Sequence, residues 1–364
     1  MQIQDLETPA VIVDLDVVAR NLRRMAEYCR RHGLALRPHT KTHKIPELAR
    51  RQIESGAVGI TVAKLGEAEV MIDAGLDDVL IAYPIVGQRK ARRLAELASR
   101  ARLTVSLDSE ESVRAISDEA ARCGVTVGVL VELDVGFRRC GVTRAEEAVA
   151  LAQTTLDLPG VEFRGLMFYP GHFWVVGEAR QRLLGSVNDF LRRVYDAFER
   201  ERIPIPVVSG GSTPTAFISH EFAGVTEIRP GMYIFNDRNM VALEVARPED
   251  CALSVITTVV STAVPGRAIV DAGSKTLSSD GFRAGDRQGF GYVREDPDAV
   301  IESLSEEHGI INISRSSRRY RVGERLTIIP NHVCATVNLH DEIYAVRGDG
   351  VETVWSVAAR GKVR

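Results

Sequence analysis

The sequence predicts a (β/α)8 barrel of the TIM type followed by an all-β domain. Three observations predict it: eight strand-like runs alternate with helical stretches, several of those stretches stop at a glycine, and the helical period disappears after Asn236. The strand-like runs are 34–37, 58–62, 79–83, 103–107, 125–133, 163–168, 205–208 and 225–228. Asp14 and Asp16 offer caps for a first helix whose apolar side runs Val18, Leu22, Met25 and Cys29, and Gly33 stops it. Further helices over 65–74, 88–99, 109–122, 144–153 and 178–202 separate the strands. An open doubly wound sheet is the competing layout. Beyond Asn236 the runs 252–264, 267–271, 289–293, 310–313, 324–329, 334–338, 342–346 and 352–357 are β-rich and parted by Gly, Pro and Asp. The expected domains are a barrel over 10–240 and a β-rich domain over 241–364, to which 1–9 adds an edge.

With 364 residues, 45% of them apolar and 26% charged, the chain is globular, and collagen, coiled coil and low complexity are excluded. A net charge of −3 offers no broad attraction to nucleic acid or anionic lipid, so neither is an expected partner. No run approaches the roughly 20 apolar residues that span a bilayer. The first nine residues lack the blocks of a signal peptide, so a cytoplasmic location is expected. The cysteines Cys29, Cys123, Cys140, Cys251 and Cys334 are widely spaced with no C-x-x-C pair, and most are expected to be buried thiols, Cys334 being the exception.

In a barrel, residues at the C-terminal strand ends face the active site. The first strand ends in Arg37-Pro38-His39-Thr40-Lys41-Thr42-His43-Lys44, where a desolvated lysine can form a Schiff base and where a basic surface loop is the alternative. The seventh leads into Ser209-Gly210-Gly211-Ser212, small residues able to wrap a phosphate, and the eighth ends in Arg229-Pro230-Gly231-Met232-Tyr233. An amine for an aldehyde and a cradle for a dianion together suggest pyridoxal 5′-phosphate (PLP). His332-Val333-Cys334 reads as part of a strand over 329–338, so its imidazole and thiol share a face; they suit a soft or borderline metal, or else form a half-buried histidine beside a core cysteine.

Taken together these residues resemble the D-threonine aldolase and D-serine dehydratase group of PLP enzymes, whose barrel is alanine racemase-like. The likeness runs from Leu6-Glu7-Thr8-Pro9-Ala10 through the octapeptide at Arg37, Asp134-Val135-Gly136-Phe137-Arg138-Arg139-Cys140-Gly141-Val142, the Ser-Gly-Gly-Ser turn and Arg229 to Pro330-Asn331-His332-Val333-Cys334. It implies that Lys41 is the Schiff-base lysine, Lys44 being a structural or surface charge. It implies that Arg139 faces the phenolic oxygen, Arg229 the pyridine nitrogen, and that Tyr169 and His172 lie near the cofactor. By the same resemblance Ser209, Gly210, Gly211, Ser212, Gly231 and Tyr233 hold the phosphate, and His332 and Cys334 hold a divalent metal. Aldolases of the group carry a carboxylate two residues after the histidine and use manganese or a similar ion, whereas dehydratases carry cysteine and zinc. Cys334 therefore favours zinc over manganese and dehydration of a β-hydroxy-D-amino acid, with Lys41 removing the α-proton. Retro-aldol cleavage, with His172 or a metal-bound hydroxide as base, is the alternative and racemisation a lesser one, for which Tyr292 or Tyr344 offers a second acid. A homodimer is implied by the resemblance, and Asp271 fits the family without a derivable role.

Overall fold

The computed structural model describes residues 1–283 and 289–364. Strand β1 (Ala10–Asp14) feeds α1 (Leu15–Arg31), and the Asp14 carboxylate caps that helix by accepting the Asp16 and Val17 amides at 2.9 and 3.1 Å. Val18, Leu22, Met25 and Cys29 are its buried side. Strands β2 (Ala35–Leu36), β3 (Ile60–Val62), β4 (Asp78–Ile81), β5 (Arg102–Leu107), β6 (Val127–Leu133), β7 (Val161–Phe168), β8 (Val207–Gly210) and β9 (Glu227–Ile228) follow. Between them lie α2 (Pro46–Glu54), α3 (Leu65–Asp73), α4 (Gln88–Ala98), α5 (Glu110–Cys123), α6 (Ala145–Asp157) and α7 (Gly177–Arg200). The eight strands pair in parallel in the order β2-β9-β8-β7-β6-β5-β4-β3. The two ends of that row meet, because the Val58 and Thr61 amides donate to the Leu36 and Pro38 carbonyls at 2.9 and 2.8 Å and His39 bridges Thr61. That closure makes a barrel and excludes the open sheet. Ile60, Val79, Val105, Val129 and Leu166 on the strands and Leu94, Ile116 and Leu191 on the helices belong to its apolar core.

After α8 (Arg238–Ala242) come β10 (Leu253–Ser261), β11 (Arg267–Val270), α9 (Ser274–Leu277), β12 (Gly291–Val293), β13 (Val300–Leu304), β14 (Gly309–Asn312) and β15 (Arg325–Pro330). The chain continues through α10 (Val333–Leu339), β16 (Glu342–Arg347) and β17 (Gly350–Ser356). Their sheet has the order β13-β14-β11-β10-β1-β16-β17, with β15 pairing β10 and β12. Strand β1 is central in it, antiparallel to β10 and parallel to β16, and Gln2 bridges Gly350. By their contacts the residues form a β unit of Met1–Arg24, Thr42–Ile45 and Met232–Arg360, and a barrel unit of Met25–Lys41, Pro46–Gly231 and Gly361–Arg364. No helix among the described residues is long and apolar enough to cross a membrane.

Two expectations are corrected. Residues 334–338 are helical, within α10: Val333, Thr336 and Val337 are buried at helical spacing, and the Asp237 carboxylate takes the Val333 amide at 3.2 Å. The β-branched side chains that favour a strand serve here as a packing face, and tertiary contacts override propensity. Cys29 and Cys251 are buried, but Cys123 is exposed and Cys140 half-buried.

Asp271 now has a structural role. Its carboxylate accepts the Thr8 and Thr257 hydroxyls at 2.6 and 2.5 Å and the Thr258 amide at 2.9 Å, tying the segment before β1 to β10. Asp271→Ala leaves these donors unpaired and is expected to lower stability by about 3 kcal/mol, read as a fall in the urea midpoint. An unchanged midpoint refutes the clamp.

Candidate active site

In the barrel unit, β2 runs into a tight turn at Thr40–Thr42, pinned when the Thr40 hydroxyl donates to the Thr61 carbonyl at 3.1 Å. The turn leaves Lys41 half-buried, its Nζ 5.7 Å from the centre of the Tyr169 ring. Arg139, from the loop after β6, lies over the same ring at 4.7 Å, and Phe137 meets it edge-on at 5.5 Å. Three strand ends thus bring an amine, a guanidinium and a phenol together. His39 accepts the Lys41 amide at 3.4 Å. Burial drives its pKa well below the ordinary histidine value, and the charges of Lys41, Arg229 and Arg139 push the same way.

Behind this group runs a buried polar chain. Arg37 joins Asp78 at 2.8 Å and Glu227 at 2.7 Å; Glu227 accepts the Ser209 hydroxyl at 2.5 Å. The Ser209 oxygen in turn accepts from Arg229, also at 2.5 Å, whose second nitrogen donates to the Phe168 carbonyl at 2.8 Å. Burial lowers Arg229 to a pKa of about 10, against the opposing pull of Glu227 and Glu132. Arg229 is therefore fixed at the barrel interior, as a positioned cation. The Ser209 side chain is fully buried, and its hydroxyl is a strut between Glu227 and Arg229.

At the turn after β8, a Cβ on Gly210 would strike the Phe168 ring, and Gly211 has a φ of +84°, which favours glycine. The Ser212 amide donates to the Thr215 hydroxyl at 3.0 Å and the Gly231 amide to the Thr213 hydroxyl at 3.1 Å, so two threonines that sequence reading missed shape the cradle. Tyr233 belongs to the β unit and is buried there. Lys44 is no surface charge: it is buried, with φ +58°, and its carbonyl accepts the Ala359 amide at 3.1 Å.

His172 lies in the loop after β7, its ring tilted on Phe173 at 5.0 Å between centres. The loop is wound tightly: Trp174 donates to the Gly171 carbonyl at 3.0 Å, and a Cβ on Gly171 would strike Tyr169. His172 Nδ1 is buried without a hydrogen-bond partner. Burial lowers its pKa, with Asp134 opposing, which favours a neutral imidazole able to take a proton. The convergent amine, the positioned cations and this unused nitrogen fit a PLP site.

In the β unit, His332 is the N-cap residue of α10 and Cys334 lies in its first turn. The two side chains share the start of that helix, not the strand pleat expected, and Cys334 is close enough to act on the charge of His332. Cys334 Sγ lies 3.3 Å from the Thr42 hydroxyl, and His332 Nδ1 lies 2.6 Å from Asp280 Oδ2. Burial disfavours the imidazolium, but Cys334, Asp237 and Asp280 outweigh it and hold the His332 pKa up at about 9. Asp237 is itself buried, which raises its carboxyl to about 6. Among the described residues no group of three or more His, Cys, Asp or Glu side chains is arranged to hold a metal. An imidazole and a thiol alone fit a site that leaves coordination positions open. Asp280 and Asp237 went unread in the sequence because they sit far along the chain from His332, in no motif with it.

Comparison with known proteins places this geometry. Residues 13–239 match the alanine racemase N-terminal domain and residues 252–346 the serine dehydratase domain. A D-threonine aldolase of Arthrobacter sp. is 34% identical over 360 residues, covering 98% of this chain and 93% of that one. A D-threo-3-hydroxyaspartate dehydratase of Delftia sp. (strain HT23) is 35% identical over 367 residues, covering 96% and 97%. Among solved structures, the D-threonine aldolase from Filomicrobium marinum matches with a TM-score of 0.91 at 36% identity over 99% of this chain and 97% of that one. A cysteine-to-alanine mutant of D-threo-3-hydroxyaspartate dehydratase, described as a metal-free form, matches at 0.90 with 34% identity over 98% of both. PLP is expected in this family, whose named members act on small D-amino acids. On these matches, covering nearly every residue, the chain belongs to the family of lyases that join an alanine racemase N-terminal domain to a serine dehydratase domain.

Proposed function

We propose that the protein dehydrates a β-hydroxy-D-amino acid of the D-serine or 3-hydroxy-D-aspartate type to a keto acid and ammonia, using PLP and zinc, as a homodimer. The observation that carries this reading is the placing of the His332 imidazole and the Cys334 thiol together at the start of α10. A thiolate is a soft donor and selects zinc over manganese. The metal-free dehydratase relative likewise has a cysteine as its altered residue.

When bound, PLP supplies a sink for the electron pair released at Cα, and zinc a Lewis acid for the departing hydroxyl. Lys41 would hold the cofactor by its aldehyde, and the same amine is the base that would remove the Cα proton. Arg139 and Tyr169 would orient the ring, Arg229 is a cation fixed by Ser209 and the Phe168 carbonyl, and the turn of Gly210, Gly211 and Ser212 with Gly231 would receive the phosphate. His332 and Cys334 hold the metal.

A second reading, retro-aldol cleavage to glycine and an aldehyde, is favoured by one observation: the unpartnered Nδ1 of His172 can take the β-hydroxyl proton. Product analysis separates them. Zinc-loaded enzyme offered D-serine, D-threonine and threo-3-hydroxy-D-aspartate in parallel is expected to release ammonia and a keto acid. Glycine with an aldehyde makes it an aldolase; the L-isomer alone makes it a racemase.

A further inference from the structure

We infer that Asp280 is the positioning residue of the metal site, fixing the tautomer and direction of His332 so that Nδ1 carries the proton and Nε2 is the atom offered to the metal. This rests on the reading of His332 and Cys334 as metal donors.

A carboxylate oxygen 2.6 Å from Nδ1 is an acceptor, so the proton between them belongs to the ring and the proton that a metal displaces is the one on Nε2. The same geometry keeps Asp280 out of the metal's own shell, because its oxygen sits on the edge of the ring away from Nε2. Nor is this a loose surface ion pair, since both side chains are about a quarter to a third exposed and both backbones are tied down. The Asp280 carbonyl accepts Asn331 Nδ2 at 3.0 Å, binding the loop to the residue that precedes His332. Asn239 closes the frame: its Nδ2 donates to the Asn331 carbonyl at 2.7 Å and its Oδ1 accepts the Arg283 amide at 2.9 Å. On the other side, α10 reaches back to α9 through Thr336 to the Leu277 carbonyl at 3.2 Å and His340 to the Thr276 carbonyl at 3.1 Å. Both partners of the carboxylate–imidazole contact are thus held by frames that do not depend on the contact itself. A hydrogen bond from a ligating imidazole to a carboxylate also makes its other nitrogen a stronger donor.

Zinc affinity, measured by competition with a chromogenic chelator on the PLP-loaded enzyme, tests this in four proteins: the parent, His332→Ala, Asp280→Ala and Asp280→Asn. Asp280→Ala is expected to bind zinc about 10- to 100-fold more weakly at an unchanged melting temperature. Asp280→Asn, whose amide oxygen still accepts from Nδ1, is expected to recover most of that loss. In the zinc-loaded parent, nitrogen-15 NMR is expected to find the His332 proton on Nδ1. Equal affinity in the parent and Asp280→Ala, with zinc lost in His332→Ala, overturns the inference and leaves the metal reading standing. Zinc retained by His332→Ala overturns both. Losses of equal size in the two Asp280 variants, or a proton on Nε2, also overturn the inference.

Discussion

Lys41→Ala is expected to lose at least about 1,000-fold in kcat and, with it, the visible absorbance of the PLP-loaded protein. The expectation follows from placement as well as chemistry. The turn at Thr40–Thr42 is pinned to the Thr61 carbonyl and leaves the amine beside Tyr169 and within reach of the same ring as Arg139. In the proposed mechanism its removal takes away both the covalent attachment and the base for the Cα proton. Lys44 is the control. It is buried with a left-handed φ of +58°, a backbone that glycine adopts at no steric cost, so Lys44→Gly removes the second amine without straining the chain. That variant is expected to keep the absorbance in its folded fraction. Equal loss of colour in both would show that the attachment lies elsewhere.

The second large effect is expected at the metal pair. His332→Ala and Cys334→Ala should keep the visible absorbance but lose bound zinc and at least about 100-fold in kcat. Chelator treatment of the parent should reproduce this, and added zinc should restore the parent alone. Cys334→Asp sharpens the test, because a carboxylate suits manganese better than a thiolate does. Its activity is expected to return with manganese in place of zinc. Metal content by mass spectrometry beside initial rates reads both, and full activity in a metal-free parent would falsify the Lewis-acid role.

The barrel was legible because most of its strands carry the apolar run that a buried parallel strand needs, and the spacing between runs fits a helix and two turns. What escaped has a common cause. Helix α10 is short and rich in β-branched residues, so local propensity pointed to a strand, while the Asp237 carboxylate that takes its first-turn amide lies far back in the chain. Ser209 sits in a stretch of small residues that reads as a phosphate turn; only the register of β8 shows that its side chain points inward at Glu227. Asp271 and Asp280 act on partners from distant segments, and pairwise contacts of that kind leave no period in a single sequence. Lys41, His332 and Cys334 stood out because their chemistry is unusual in type and close in spacing.

The central place of β1 bears on how the protein is made. On the ribosome this strand precedes both its neighbours, β10 and β16, which are complete only at Ser261 and Arg347. The strands of the barrel, by contrast, have all been delivered by Ile228. Until β10 is made the nascent chain therefore carries an apolar strand with both hydrogen-bonding edges open, the kind of segment that chaperones capture and that aggregates when they do not. Completion of β16, and not barrel closure, is the event that covers the second edge of β1.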